Sequence, residues 1–285
     1  MRREGLFRRL VITGTVLWMA VFGFLPNMLV LGTSVCRSTP DAFVVLDWTF
    51  SNYGALLDGV HAQIFFSSLR LSAAVTVCCL LLAYPFASAM ARATPPVRRI
   101  MLLLVVIPFW TNSLVRTYAM TVLLNANGLV NRVLLALGLV DAPLTLLYTS
   151  GAVVAGLVYT LLPFMILPLY AALDRLDPRF EEAARDLGAG RWRVLWHVKI
   201  PLVLPGIITG CMLVFLPGLG MFYVADVLGG AKAMLVGNFI RDQFLLTRQW
   251  PLGAAASTLL TGIMVVFLLV YWWSQHRIHE GEVSS

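Results

Sequence analysis

The sequence predicts an all-α membrane protein with six transmembrane helices, and three observations carry that prediction. Of its 285 residues, 59% are hydrophobic and 12% charged, with a mean hydropathy of +0.84, which suits a lipid environment rather than a soluble core. The apolar residues are gathered into long uncharged runs. The basic residues crowd into every second connection between those runs.

Taken in order, Leu10–Cys36, Leu71–Ala91, Ala142–Leu173, Ile200–Ala225 and Gln249–Gln275 are uncharged and exceed the roughly 18 to 20 residues that cross the hydrocarbon. A further span, Ile100 to about Leu124, is long enough but contains Arg116, which lies near an end, faces a partner helix or lines an aqueous path. The first run has the basic flank of a signal peptide, but it is too long for one and no small-residue cleavage pattern follows. Asp41 to His61 are expected as an outer loop, and an extra extracytoplasmic or interfacial helix is expected around Ala126–Leu137. Pro26, Pro85, Pro108, Pro163, Pro168, Pro205 and Pro217 fall inside the spans, where they bend helices for packing or free backbone groups beside a path.

Orientation follows from the flanks. Arg2, Arg3, Arg8 and Arg9 precede the first span, and Arg92, Arg98 and Arg99 separate the second and third. Arg175, Arg179, Arg185, Arg191, Arg193 and Lys199 separate the fourth and fifth, and Arg277 follows the sixth. The opposite connections hold fewer, Arg37, Arg132, Lys232, Arg241 and Arg248 among them, so both termini are expected in the cytoplasm. The formal charge of +7 is then a matter of topology, and no basic soluble face with interleaved aromatics suggests nucleic acid.

The chain does not read as an enzyme. Gly229-Gly230-Ala231-Lys232-Ala233 lacks the second half of a phosphate-binding loop, so nucleotide hydrolysis is not expected here. His61, His197, His276 and His279 are scattered over both faces with no nucleophile beside them. Cys36, Cys78, Cys79 and Cys211 have no metal-ligand spacing, and no cofactor or metal is expected.

One polar segment stands out between the apolar runs. Asp177 can cap a helix, Pro178 suits its first position, Glu181 and Glu182 oppose the positive end of its dipole, and Gly188 can end it. Beyond the turn, Arg191, Arg193, His197 and Lys199 lead through Pro201 into the next span, which makes a cytoplasmic elbow. On its helix Glu182 and Asp186 share a face at i and i+4, and Ala183 and Ala184 permit close approach of a partner. Capped and solvated charges on a loop helix would look the same locally.

Glu182-Ala183-Ala184, then Gly188, then after nine residues Val198-x-Ile200-Pro201, resembles the Glu-Ala-Ala signature of bacterial ABC-importer permeases, with Val and Ile in place of Ile and Leu. The resemblance covers about Phe65 to Trp273 and implies the type I ABC-importer permease fold. It makes Glu182, Ala183, Ala184, Asp186 and Gly188 the coupling residues that enter a cleft of a separate ATPase. It also implies the division into an N-terminal helix and outer loop (1–64), a permease domain with the coupling segment 177–201 (65–273), and a cytoplasmic tail (274–285). Ile107–Arg116, Leu161–Met165, Gly220–Asp226 and Gly237–Ile240 resemble the spermidine/putrescine branch of that family. That branch implies a bacterial inner-membrane importer of polyamines. Its other parts would be a second, homologous permease, a dimer of ATPase subunits and an extracytoplasmic polyamine-binding protein.

A polyamine passing through the membrane calls for carboxylates and aromatic faces. Trp110, Phe222, Tyr223 and Asp226 fit: at the outer end of the fifth span Tyr223 and Phe222 precede Asp226 by three and four positions and share its face. An interfacial aromatic belt with a solvated aspartate is the plainer reading of the same residues. Arg116 points the other way, since a cation in the path suits sulfate, phosphate or molybdate. A stand-alone secondary transporter or channel would show a deep ionisable relay or two inverted halves, and neither is seen.

Overall fold

A computed structural model describes residues 11–39, 42–230 and 234–283, with side chains up to residue 273. Arg2, Arg3, Arg8, Arg9, Asp41 and Lys232, used above for topology and loop assignment, lie outside the described residues. Among the described residues, six helical stretches are long and apolar enough to cross a membrane. They are α1 (Val11–Ser34), α3 (Gly59–Arg92), a stretch Ser113–Ala136, α7 (Ser150–Asp174), α9 (Arg191–Gly220) and α12 (Trp250–Val283), the last with its apolar part at Trp250–Trp273.

The third stretch differs from the expected Ile100–Leu124. The backbone there is broken into α4 (Pro95–Val106), a 3-10 turn (Ile107–Trp110), α5 (Ser113–Leu124) and α6 (Leu129–Ala136). Pro108 cannot donate the next helical hydrogen bond, and the Asn112 side chain accepts from the Leu114 amide at 2.8 Å to start a new helix. The expected span is therefore covered by α4 and α5 with a break between them, and α6 lies where the short extra helix is expected, around Ala126–Leu137. The fifth span also ends early. Pro217 is in its last turn, the Met221 amide closes it onto the Pro217 carbonyl at 3.1 Å, and α10 (Phe222–Gly229) starts afresh, so Asp226 is not part of that span.

Two π-turns precede prolines. Met19–Phe24 leads to Pro26 and Leu195–Lys199 leads to Pro201, and in each case the carbonyl four residues before the proline (Phe22, His197) lies in the widened turn. A proline leaves that carbonyl without its usual donor, which accounts for the local change of pitch.

Contacts divide the chain into two compact units. One takes residues up to Gln63 together with Phe239–Val265, and the other takes Ile64–Asn238 together with residues from Val266 onward. In the first, the segment expected as an outer loop is structured. A two-stranded antiparallel hairpin, β1 (Arg37–Thr39) and β2 (Ala42–Val45), is followed by α2 (Ser51–Leu57). Asn52 ties α2 back to the end of α1 by donating to the carbonyls of Ser34 and Cys36 at 2.9 and 2.8 Å. Phe43 stacks on Trp250 with ring centroids 5.5 Å apart. From Val11 to Leu29 every residue of α1 is exposed, as suits a helix facing lipid.

In the second unit the core is centred on α7. Its row Leu157, Leu161, Met165, Leu169 and Leu173 meets Val75, Cys79, Ala83 and Ala87 of α3, both at the i, i+4 spacing of one helix face. Val203 and Val214 of α9 and Val224 and Leu228 of α10 complete it. Lipid tails are as apolar as these side chains, so close packing rather than water exclusion holds the helices together. Gly206 shows how close: a Cβ there would lie 2.5 Å from the Ala172 Cβ and 3.0 Å from the Pro168 carbonyl oxygen. Some polar groups on these helices pair with a neighbouring helix, as Ser72 does by donating to the Phe215 carbonyl at 2.7 Å. Beyond α7 the chain makes α8 (Pro178–Asp186) before α9, and after α10 it makes α11 (Val236–Leu245) before α12.

Candidate functional site

The elbow forms with the punctuation its sequence carries. The Asp177 carboxylate accepts from the Arg179 amide at 2.9 Å, and Pro178 occupies the first turn of α8. Gly188 takes a left-handed φ of +81°, with its amide and that of Ala189 donating to the carbonyls of Arg185 and Ala184 at 2.8 and 3.0 Å. That is the αL helix ending that favours glycine. Glu182, Ala183, Asp186 and Gly188 are exposed, Ala184 is half-buried, and Leu187 beside them is 90% exposed. The candidate coupling residues thus form an outward face that no other described residue covers.

The inward face is organised by a residue that the sequence reading assigned only to the helix dipole. Glu181 Oε1 accepts from Lys199 Nζ at 2.6 Å, while its Oε2 lies 3.1 Å from Arg92 and 3.7 Å from Arg185. Lys199, at the base of α9, is buried. Arg92 is the last residue of α3, so one carboxylate joins the elbow helix to two membrane helices. Burial pushes the Glu181 pKa up, but the Lys199 hydrogen bond and the charges of Lys199, Arg92 and Arg185 outweigh it, leaving the group below its ordinary value. Alongside, Arg98 reaches Asp174 at 3.0 Å and the Ala91 carbonyl at 2.9 Å. These groups line a cavity of about 500 Å³ between the ends of α3, α7 and α8. The sequence held one signal of this pairing: a lysine directly before an apolar span needs a counter-ion if it is drawn inward.

The candidate path residues fall on two elements, Trp110 on the 3-10 turn and Phe222, Tyr223 and Asp226 on α10. Trp110 ends the 3-10 turn and is 80% exposed. Phe222 and Tyr223 open α10 with their rings edge to face, 6.4 Å apart. Asp226 lies one turn further along and lines a cavity of about 440 Å³ with Tyr118, Thr121, Asn125 and Tyr148. Trp110, Phe222 and Tyr223 are not among its lining residues. The buried Asn238 side chain holds Asp226, donating to its Oδ1 and, at 3.2 Å, to the Phe222 carbonyl, while accepting from the Leu235 amide at 3.2 Å.

Tyr148 has no precedent in the sequence reading. Its φ is +61°, a left-handed conformation that a bulky L residue adopts only when the surroundings enforce it, at about 1 to 3 kcal/mol. Its amide donates to the Leu228 carbonyl at 2.9 Å, and its ring lies so close to Gly230 that a Cβ there would be 3.0 Å from the Tyr148 Cδ1. Arg116 is not in the cavity lining. Its guanidinium lies over the Tyr159 ring at 5.8 Å, and its buried Nε and Nη1 have no hydrogen-bond partner among the described residues. Also among the described residues, no group of three or more His, Cys, Asp or Glu is placed to hold a metal ion.

Residues 83–279 match the family described as binding-protein-dependent transport system inner membrane component. The chain is 44% identical over 280 residues to the spermidine/putrescine transport system permease protein PotB of Salmonella typhimurium strain SL1344, covering 98% of each chain. It is 47% identical over 266 residues to the protein of the same name from Haemophilus influenzae, covering 93% of each. Its fold matches a chain of the crystal structure of a bacterial alginate ABC transporter in complex with alginate pentasaccharide-bound periplasmic protein, with a TM-score of 0.77 at 17% identity and 97% and 96% of the two chains covered.

Proposed function

The chain belongs to the binding-protein-dependent transport system inner membrane components, and from that membership we propose that it is a permease subunit of an ATP-driven bacterial importer of spermidine or putrescine. The observation that carries this reading is the 44% and 47% identity, over nearly full length, to two permeases named for those amines. It forms half of a translocation path with a second, homologous permease. An ATPase dimer supplies the energy, and an extracytoplasmic binding protein delivers the amine.

In this reading the elbow is the drive shaft. The exposed face of Glu182, Ala183, Asp186 and Gly188, with Ala184 beneath it, enters a cleft of the ATPase, where the carboxylates accept hydrogen bonds from amides or basic side chains. A displacement of α8 then reaches the base of α9 through Glu181 and Lys199, and the end of α3 through Glu181 and Arg92. Both termini and the elbow lie on the cytoplasmic side, consistent with the basic flanks. The chain works as an N-terminal helix with an outer segment (1–64), a permease domain (65–273) and a cytoplasmic tail (274–285). Asp226, with Trp110, Phe222 and Tyr223 at other points along the way, contacts the amine.

Co-expression with the ATPase tests the coupling half. Asp186→Arg or Gly188→Val should abolish co-purification of the ATPase while the chain still inserts. ATPase retention by both variants, or amine transport by the chain alone, would contradict the assignment.

A further inference from the structure

We propose that the basic pocket enclosed by the end of α3, α8 and the start of α9 holds the phosphate of an anionic membrane lipid, making a headgroup site at the base of the elbow. The proposal goes beyond the polyamine reading and does not depend on it, since it needs only the membrane placement of α3 and α9.

The pocket has a volume of about 490 Å³ and is lined by Arg92, Arg185, Arg191, Val194, Leu195 and Lys199. Four of these side chains are cations and none is an acid. Glu181, the carboxylate that pairs with them, is shared: Lys199 lies at 2.6 Å, Arg92 at 3.1 Å and Arg185 at 3.7 Å. Three positive charges on one negative charge leave two uncompensated, and Arg191 adds another with no acid partner among the described residues. Arg191 is also the first residue of α9, whose opening turn has no side-chain cap, so the positive end of the helix dipole adds to the same field. An anion relieves the mutual repulsion of these groups. A phosphate diester brings the charge and the acceptor oxygens that guanidinium groups bind well. A cationic amine would be repelled, which keeps this pocket off the path of the cargo.

The surroundings select a lipid headgroup over a free phosphate. Arg92 is the last residue of α3 and Lys199 comes just before Pro201 in α9, so the pocket opens where two spans leave the hydrocarbon. Val194 and Leu195 give it an apolar wall, which the glycerol and first methylenes of a lipid would cover and a bare ion would not. Trp192 and Trp196, 75% and 61% exposed, stand one turn apart beside Arg191 and Leu195, and the exposed Leu202 follows on the membrane side. Exposed tryptophans at the end of a span mark the headgroup level of a bilayer. Basic pockets between membrane helices at that level are where anionic headgroups bind. Glu182, Ala183, Asp186 and Gly188 are not among the lining residues, so the coupling face and this pocket are separate surfaces of the elbow.

The test titrates the full-length chain, purified in a neutral detergent, with phosphatidylglycerol or phosphatidylcholine and follows bound lipid by native mass spectrometry. Phosphatidylglycerol should bind about tenfold or more tightly than phosphatidylcholine, and the difference should shrink as salt is raised. Arg191→Gln and Arg185→Gln should each weaken its binding about three- to tenfold, the weight of one basic residue against an anionic headgroup. Both side chains are exposed, so neither change removes a core contact. Arg191→Lys, which keeps the charge, and Arg193→Gln, which removes a charge outside the lining, should stay within about twofold of the unchanged chain. Equal binding of the two lipids, or equal losses in Arg193→Gln and Arg191→Gln, would overturn the site. Displacement of the lipid by millimolar inorganic phosphate would assign the pocket to a free oxyanion and overturn it as well. Spermidine uptake is not read in any of these measurements, so their failure leaves the polyamine reading standing.

Discussion

Replacing Glu181 by Gln removes one negative charge from the centre of the elbow, and the structure sets the size of the effect. Lys199 Nζ is 2.6 Å from Glu181 Oε1, with the two side chains 9% and 18% exposed, so the substitution leaves an ammonium buried beside a neutral amide. Breaking a buried pair from one side costs about 3 to 5 kcal/mol. The remaining exposure of Glu181 puts this one nearer the lower end, at about 2 to 4 kcal/mol. Arg92 and Arg185 are more than half exposed, and each contact adds only about 0.2 to 1 kcal/mol. Equilibrium unfolding in mixed detergent micelles would measure the loss. Removing both partners, as Glu181→Leu with Lys199→Met, should recover most of it, because an apolar pair needs no counter-ion. Since the Glu181 pKa is lowered on folding, its contribution is complete above the ordinary value of 4.5 and is lost as the pH falls through the lowered value. The gap between the parent and Glu181→Gln should therefore close in acid. Strictly additive losses in the double variant, or a Glu181→Gln chain as stable as its parent at neutral pH, would refute the argument.

Other expectations follow from single contacts. Gly188→Ala should cost about 1 to 2 kcal/mol through its φ of +81° alone, since nothing lies within 4 Å of an added Cβ, and Gly188→Asn should cost less; unfolding midpoints would rank them. Gly206→Val should lower the yield of folded chain, by about 1 to 3 kcal/mol of stability, because its Cβ meets Ala172 and the Pro168 carbonyl rather than a flexible side chain; size-exclusion recovery would report it. Asn131→Leu should loosen the turn before α7, since the fully buried amide donates to the carbonyls of Asn125 and Leu144 and accepts from the Leu144 amide; faster hydrogen exchange at Leu144 would show it, at a cost of about 1 to 3 kcal/mol.

The features legible in the sequence are those decided locally. The elbow could be read because a cap, an N1 proline and a terminating glycine act within one or two turns, and all three do so here. The spans could be read because crossing the hydrocarbon requires length and the absence of charge. Hydropathy is blind to the break at Pro108 and Asn112, which divides the expected third span into α4 and α5. Glu181 was read as a partner of the helix dipole, but its partners Lys199 and Arg92 come from α9 and α3, and no local pattern links them. The same holds for the Asp226 cavity. The sequence suggested Phe222 and Tyr223 as its aromatics by helical spacing, whereas the fold supplies Tyr118 and Tyr148 from other segments, one of them in a conformation that propensity argues against.

The most direct test of the central claim is uptake of radiolabelled spermidine into vesicles containing this chain, its homologous permease partner and the ATPase, with the binding protein added on the extracytoplasmic side. The account predicts uptake that needs ATP at the elbow face, is competed by putrescine but not by sulfate, and stops when the coupling face is broken by Gly188→Val. Uptake that proceeds without ATP, or that sulfate competes and putrescine does not, would contradict it.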